Sequence, residues 1–186
     1  MPIGSLWLPV IVSAVVVFIA SSAIHMALKY HKADIKPMPN DEAVRDAIAR
    51  GTPAPGLYFT PYCADHQQMK EPAIKEKFAK GPVAVITIYR NGPPNMGKLL
   101  SQWFVFIALV SFVAAYVARH TLQPGADGLL VMRITGTVAF AGYAMSHFSD
   151  SIWKGQPWGN TWRAMIDGAI YALLTGLTFR LLWPAA

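Results

Sequence analysis

Apolar positions in this chain come in long blocks, separated by one extended polar stretch and two short turns. The first block, Leu6 to Leu28, is almost unbroken. As a helix rising ~1.5 Å per residue it would reach about 34 Å, enough to cross a hydrocarbon layer ~30 Å thick. Further blocks lie at 99–118, 129–148 and 162–183. The second and third are joined by a short Pro/Gly-containing loop, as expected of antiparallel neighbours. Little before Leu6 is basic, whereas Lys29, Lys32 and Lys36 follow the block. That order is the reverse of a cleaved signal peptide and predicts an uncleaved span with a translocated N-terminus. The pattern as a whole predicts an all-α membrane protein of four transmembrane helices. Residues 1–28 hold the first, 29–98 a polar module, and 99–186 the remaining three.

Inside the polar stretch the period changes. Asn40 to Gly51 reads as a short helix, with Asn40 as N-cap, acids in the first turn, Arg50 in the last and Gly51 at the end. Val44 and Ile48 fall on one face. Glu71 to Gly81 reads as a second, opened by Pro72. Leu57–Thr60 and Val83–Tyr89 are strand-like, and the latter is rich in β-branched residues. A two-stranded ribbon with two helices makes a small α+β module.

Charge sharpens the picture. Only 14% of the 186 residues are charged and 54% are apolar, against ~25% charged in soluble domains. The net charge of +6 has no nucleic-acid motif beside it, so nucleic acid is not expected as a partner. Most lysines and arginines lie between Lys29 and Lys98, with Lys154 and Arg163 in the turn after the third span. Lys/Arg-rich loops stay in the cytoplasm. The module is therefore expected inside and both termini outside. Trp103, Trp153, Trp158, Trp162 and Trp183 stand at block ends, where indole rings anchor at headgroup level. Pro157 and Gly159 predict a turn between the last two spans. Cys63 is the sole cysteine. With His66 it forms half of a zinc pattern, and no second pair completes it.

Four features carry candidate chemistry. Gly168, Ala172 and Gly176 form a small-residue stripe at i, i+4, i+8, where a second backbone can approach closely. Gly142 and Ser146 offer a matching face on the third span, and homo-oligomerisation is the other use of such a stripe. Asp167 lies just inside the apolar edge, and an ionisable group at that depth is a functional candidate by default. Arg163, one turn earlier, is its expected partner. His25, His147 and Asp150 approach the same level and could relay protons or hold a metal. They come from separate segments without ligand spacing, so water-facing imidazoles are expected and neither a metal nor a cofactor is implied. On the opposite side Arg119, Arg133 and Arg180 can snorkel, with Asp127 as a possible partner for Arg133. No Gly-rich phosphate loop, H-E-x-x-H, G-x-S-x-G or paired-Cys motif is present, so no catalytic residue is assigned.

The blocks G-P-V-A-V-I-T, M-G-K-L-L-S-Q-W-F, A-Y-V-A-R-H-T-L, S-I-W-K-G-Q-P-W and D-G-A-I-Y-A-L-L-T-G together resemble an uncharacterised family of small four-span bacterial membrane proteins. The resemblance covers most of the chain from about Asn40. It implies a bacterial inner-membrane setting and no activity. Two readings of function survive. One is a non-catalytic accessory or scaffold component of a membrane assembly, held to a partner through the polar module and the small-residue face. The other is a small, oligomeric proton- or cation-coupled transporter using Asp167. Because no span looks broken, and transport sites usually come from discontinuous helices, the first is the expectation. A membrane enzyme ranks third.

Overall fold

The structure is a computed structural model that describes residues 2–185. In chain order its main elements are α1 (Trp7–Ala27), α2 (Asp41–Arg50), β1 (Gly56–Thr60), α3 (Pro72–Lys80), β2 (Ala84–Ile88), α4 (Met96–Thr121), α5 (Gly128–Phe140), α6 (His147–Lys154) and α7 (Trp158–Leu182). Four helical stretches are long and apolar enough to cross a membrane: Ile3–Ala27, Met96–Thr121, Gly128–Lys154 and Trp158–Leu182. The chain divides into two units, with Lys36–Pro94 separate from the segments that flank it.

In the Lys36–Pro94 unit the expected elements form. Pro72 takes the first helical position of α3, where its missing N–H costs nothing. Gly81 ends that helix at φ 62°, a backbone setting that a side chain would strain. Strands β1 and β2 pair antiparallel, from Gly56 opposite Ile88 to Thr60 opposite Ala84. Asn40 precedes α2 in a left-handed conformation (φ 52°, ψ 47°) and makes no side-chain cap bond. Its contribution is tolerance of that turn, which Asn shares with few other residues, and not the capping expected of it.

The other unit is a bundle of α1, α4, α5–α6 and α7. Helix α1 meets α4 through a buried Ser13–Ser111 hydroxyl pair at 2.9 Å, and Trp103 Nε1 donates to Ser21 Oγ at 2.9 Å. Trp103 is thus turned into the bundle, whereas Trp153, Trp158 and Trp162 are exposed, as interface anchors require. Trp183 donates from Nε1 to the Gln123 carbonyl, closing the far end of the bundle. The N-terminus of α5 is capped by Asp127, whose carboxylate accepts from Leu129 N and Leu130 N. That use replaces the ion pair expected with Arg133. Arg180 lays its aliphatic stem close against Gly128.

Helices α5 and α7 share the closest seam, and there the small residues act. A Cβ on Gly176 would stand 2.8 Å from the Met132 carbonyl oxygen, and one on Gly168 would stand 2.7 Å from Ala144 Cβ. Gly136 faces the Ala172 carbonyl oxygen. The partners on the third span are therefore Met132, Gly136 and Ala144. Gly142 faces Val110 of α4 instead, and Ser146 is exposed. Gly142 is six residues from Gly136, about 240° round a regular helix and so on another face. A π-helical turn at Ala141–Met145 adds one residue and brings Ala144 onto the α7 face. The third span stays helical through this turn, as expected of an unbroken span. It continues past Phe148 to Lys154. The turn into α7 is Gly155–Pro157, and Gly159 lies within the first turn of α7.

Candidate functional site

A cavity of about 560 Å³ opens at the end of the bundle where α1 finishes and α7 begins; His25, His31, Trp103, Tyr143, His147 and Asp167 are among the side chains lining it. Its centre is Asp167. The buried face of α7 repeats every three to four residues through Gly168, Tyr171, Ala172 and Thr175, and Asp167 is part of it. Only 6% of its side chain is exposed. A carboxylate so placed needs donors.

Those donors come from a single turn of 3-10 helix, Tyr30–Ala33, that follows α1. The Tyr30 hydroxyl donates to Asp167 Oδ1, and His31 Nε2 lies 2.8 Å from Asp167 Oδ2. The other nitrogen of the same ring, Nδ1, is 2.6 Å from Asp34 Oδ2. His31 therefore bridges two carboxylates. Asp34 in turn accepts from Arg163 Nε at 2.5 Å, and Arg163 also donates to Asn160 Oδ1 at 2.8 Å. The Asp34 carbonyl takes a bond from Asn160 Nδ2 at 3.0 Å. The first turn of α7 thus holds the segment after α1 by both its backbone and its side chain.

The electrostatics follow from this chain of contacts. Burial alone would lower the His31 pKa, but the hydrogen bond to Asp34 and the charge of Asp167 outweigh it and raise it above the ordinary imidazole value. Burial would raise the Asp34 pKa, but bonds from His31 and Arg163 hold it below the usual carboxylate range. The Tyr30 phenol is pushed up by burial and by its bond to Asp167, so it remains a donor.

His25, on the last turn of α1, completes the group. Its Nδ1 is 2.9 Å from the Ser21 carbonyl oxygen. A carbonyl only accepts, so that nitrogen carries the proton and Nε2 carries the lone pair. Nε2 faces Asp167 Oδ2 at 3.9 Å. The rings of His25 and His31 stack, with centroids 4.5 Å apart and planes 8° from parallel. The ligand-type atoms of His25, His31 and Asp167 all lie within 4.8 Å of one another.

Of the residues expected here, Asp167, His25 and His147 line one cavity. Arg163 belongs to the same network but pairs with Asp34, not with Asp167. Asp150, on α6, stands 3.9 Å from His147 Nδ1 and is reached by Lys154 Nζ at 2.6 Å. Tyr30, His31, Asp34 and Asn160 were not expected. The signal for three of them is Y-H-K-A-D directly after the first apolar block. Positions i and i+3 share a side of a 3-10 turn, which places His31 beside Asp34.

Rearranged pairing makes a prediction. In a double-mutant cycle on thermal or denaturant stability, Arg163→Gln and Asp34→Asn are expected to couple by ~0.5–3 kcal/mol, as directly bonded residues do. Both side chains keep about a quarter of their surface in solvent, so screening puts the value in the lower part of that range. Arg163→Gln with Asp167→Asn is expected to be closer to additive.

Towards the bundle interior, the Tyr171 hydroxyl and Thr175 Oγ1 are buried without a hydrogen-bond partner. They stand one and two turns beyond Asp167 on the same face of α7. The Tyr143 and Tyr171 rings meet edge to face at 5.7 Å, and Tyr143, on the π turn, reaches the Ile107 carbonyl at 3.4 Å. Polar groups therefore continue from Asp167 into the apolar layer. No family model, curated protein or solved structure matches the chain.

Proposed function

We propose that this protein is a small multi-pass membrane transporter, proton- or cation-coupled, with Asp167 as the group that takes the ion. The observation that carries the reading is the partnership of Asp167. A carboxylate paired with an arginine, which does not give up its proton, would be locked as a fixed counter-charge. Here Arg163 is engaged by Asp34, and Asp167 is held by Tyr30 and His31 on the wall of a cavity. The π turn of the third span supports the same reading. Such turns inside a helix are frequent at functional sites, and both Tyr143 on the turn and His147 just after it line the cavity. Reconstituted protein is expected to move a cation across otherwise tight liposomes. Absence of flux for protons, alkali ions and divalent ions alike, in vesicles containing folded protein, would overturn the reading.

An accessory role is the second reading. The ribbon of β1 and β2 supports it, because both strands leave apolar side chains open: Leu57 of β1 is 63% and Val85 of β2 38% exposed. Exposed apolar surface of that kind suits a protein partner. The small-residue stripe does not support it, since Gly168 and Gly176 are already occupied by the chain's own third span.

The setting is part of the proposal. A bacterial cytoplasmic membrane, with both termini outside and residues 29–98 inside, accords with the family resemblance and with the concentration of Lys and Arg. A membrane-impermeant maleimide is expected to label Cys63 in inverted vesicles and not in intact cells. Labelling of sealed cells would reverse the orientation.

A further inference from the structure

We infer that His25, His31 and Asp167 form a site for one divalent first-row transition metal ion, an inference that rests on the cation-handling reading above and names its ion class. The orientation of the two imidazoles carries it. The Nδ1 of each imidazole faces an atom that can only accept, the Ser21 carbonyl for His25 and the Asp34 carboxylate for His31. Each ring is thereby fixed with Nε2 towards Asp167 Oδ2. For His25 this turns the free ring nitrogen towards Oδ2 across a 3.9 Å gap, while His31 Nε2 already donates to the same oxygen, and a bound metal would take the place of that proton. A ligating histidine characteristically donates its other nitrogen to a carboxylate or a backbone carbonyl, which orients it and raises its basicity. Both histidines have that support here.

The distances from each imidazole to the carboxylate bracket that of a metal site. Bonds of ~2.0–2.1 Å to nitrogen or oxygen in a tetrahedral site place ligand atoms about 3.3 Å apart. The observed 2.8 Å and 3.9 Å to Asp167 Oδ2 fall on either side of that value. The stacked rings must tilt for both lone pairs to converge. His25 is free to do so, because 53% of its side chain is exposed and its sole hydrogen bond is local. Tyr30 occupies Asp167 Oδ1 and leaves Oδ2 as the ligand. Two imidazoles with one carboxylate select transition ions over magnesium or calcium, which prefer oxygen alone. All three residues line the cavity, from which water could complete the coordination.

The test is titration of the purified, tag-free full chain in detergent with Co²⁺, read by visible absorption, followed by competition with Zn²⁺. We expect one Co²⁺ per chain, displaced by one Zn²⁺. His25→Ala should weaken binding at least tenfold, and the exposure of His25 means the fold should survive it. Asp34→Asn should weaken binding ~10–100-fold through His31, as loss of such a support does, without changing the stoichiometry. Cys63→Ser should leave binding unchanged. No stoichiometric binding by folded protein, binding indifferent to His25→Ala, or binding abolished by Cys63→Ser would each overturn the site. Flux of monovalent ions without metal binding would remove the metal site and keep the transport reading. Tight metal binding without any flux would do the opposite.

Discussion

Gly176→Leu is expected to be the most damaging single substitution in the bundle. A Cβ at that position would lie 2.8 Å from the Met132 carbonyl oxygen and 3.3 Å from Gly136 Cα. Both obstacles are backbone, so no side chain can swing aside, and α5 must move away from α7. Overpacking a well-filled interior costs ~1–3 kcal/mol and occasionally more. Without a hydrophobic drive between helices in lipid, close packing is a main source of their association. The neighbouring Leu177 points outward and is 39% exposed, so Leu177→Ala should change little. Fluorescence-detected size-exclusion after a heating series would compare the two. Equal loss for both would mean that the seam does not depend on the glycine.

Among polar residues, His31→Ala is expected to have the largest effect on stability. It removes a donor from Asp167 and another from Asp34 at once. Removing one partner of a buried charge pair costs ~3–5 kcal/mol, because the other charge is left uncompensated. His31 keeps 17% of its side chain in solvent, and Arg163 still serves Asp34, so the loss should fall at or below the low end of that range. Adding Asp167→Asn to His31→Ala should recover part of it, since the orphaned carboxylate is then gone. A double variant less stable than His31→Ala alone would contradict the proposed network.

Much of this architecture is legible in the order of apolar and polar residues. Four blocks of about twenty apolar residues leave no other use for their backbone groups than helices, and all four helices form close to the expected places. The ribbon and both short helices of the polar module follow from turn and cap residues such as Pro72 and Gly81. The site was legible only in part. Asp167 announces itself as a charge at an apolar edge, but its partner was misplaced. Spacing of four residues along α7 suggested Arg163, whereas a tertiary contact with a turn 137 positions away supplies Tyr30. The Y-H-K-A-D segment read as a basic flank of the first span, because nothing local shows that it folds back onto α7. The π turn was equally hidden. A-G-Y-A-M carries no proline, and its lone Gly142 is of a kind that helices tolerate. Its effect, a one-residue shift that brings Ala144 against Gly168, is visible only once the two helices are docked.

The central claim is that Asp167 takes an ion and is not a structural counter-charge. Asn at this position keeps the shape and an acceptor for Tyr30 or His31 but cannot carry the charge. Asp167→Asn protein, reconstituted at the same density as wild type and assayed for cation uptake, tests the claim most directly. The account predicts a folded, fully abundant variant without uptake. A variant that transports as wild type does, or one that fails to fold, would contradict it.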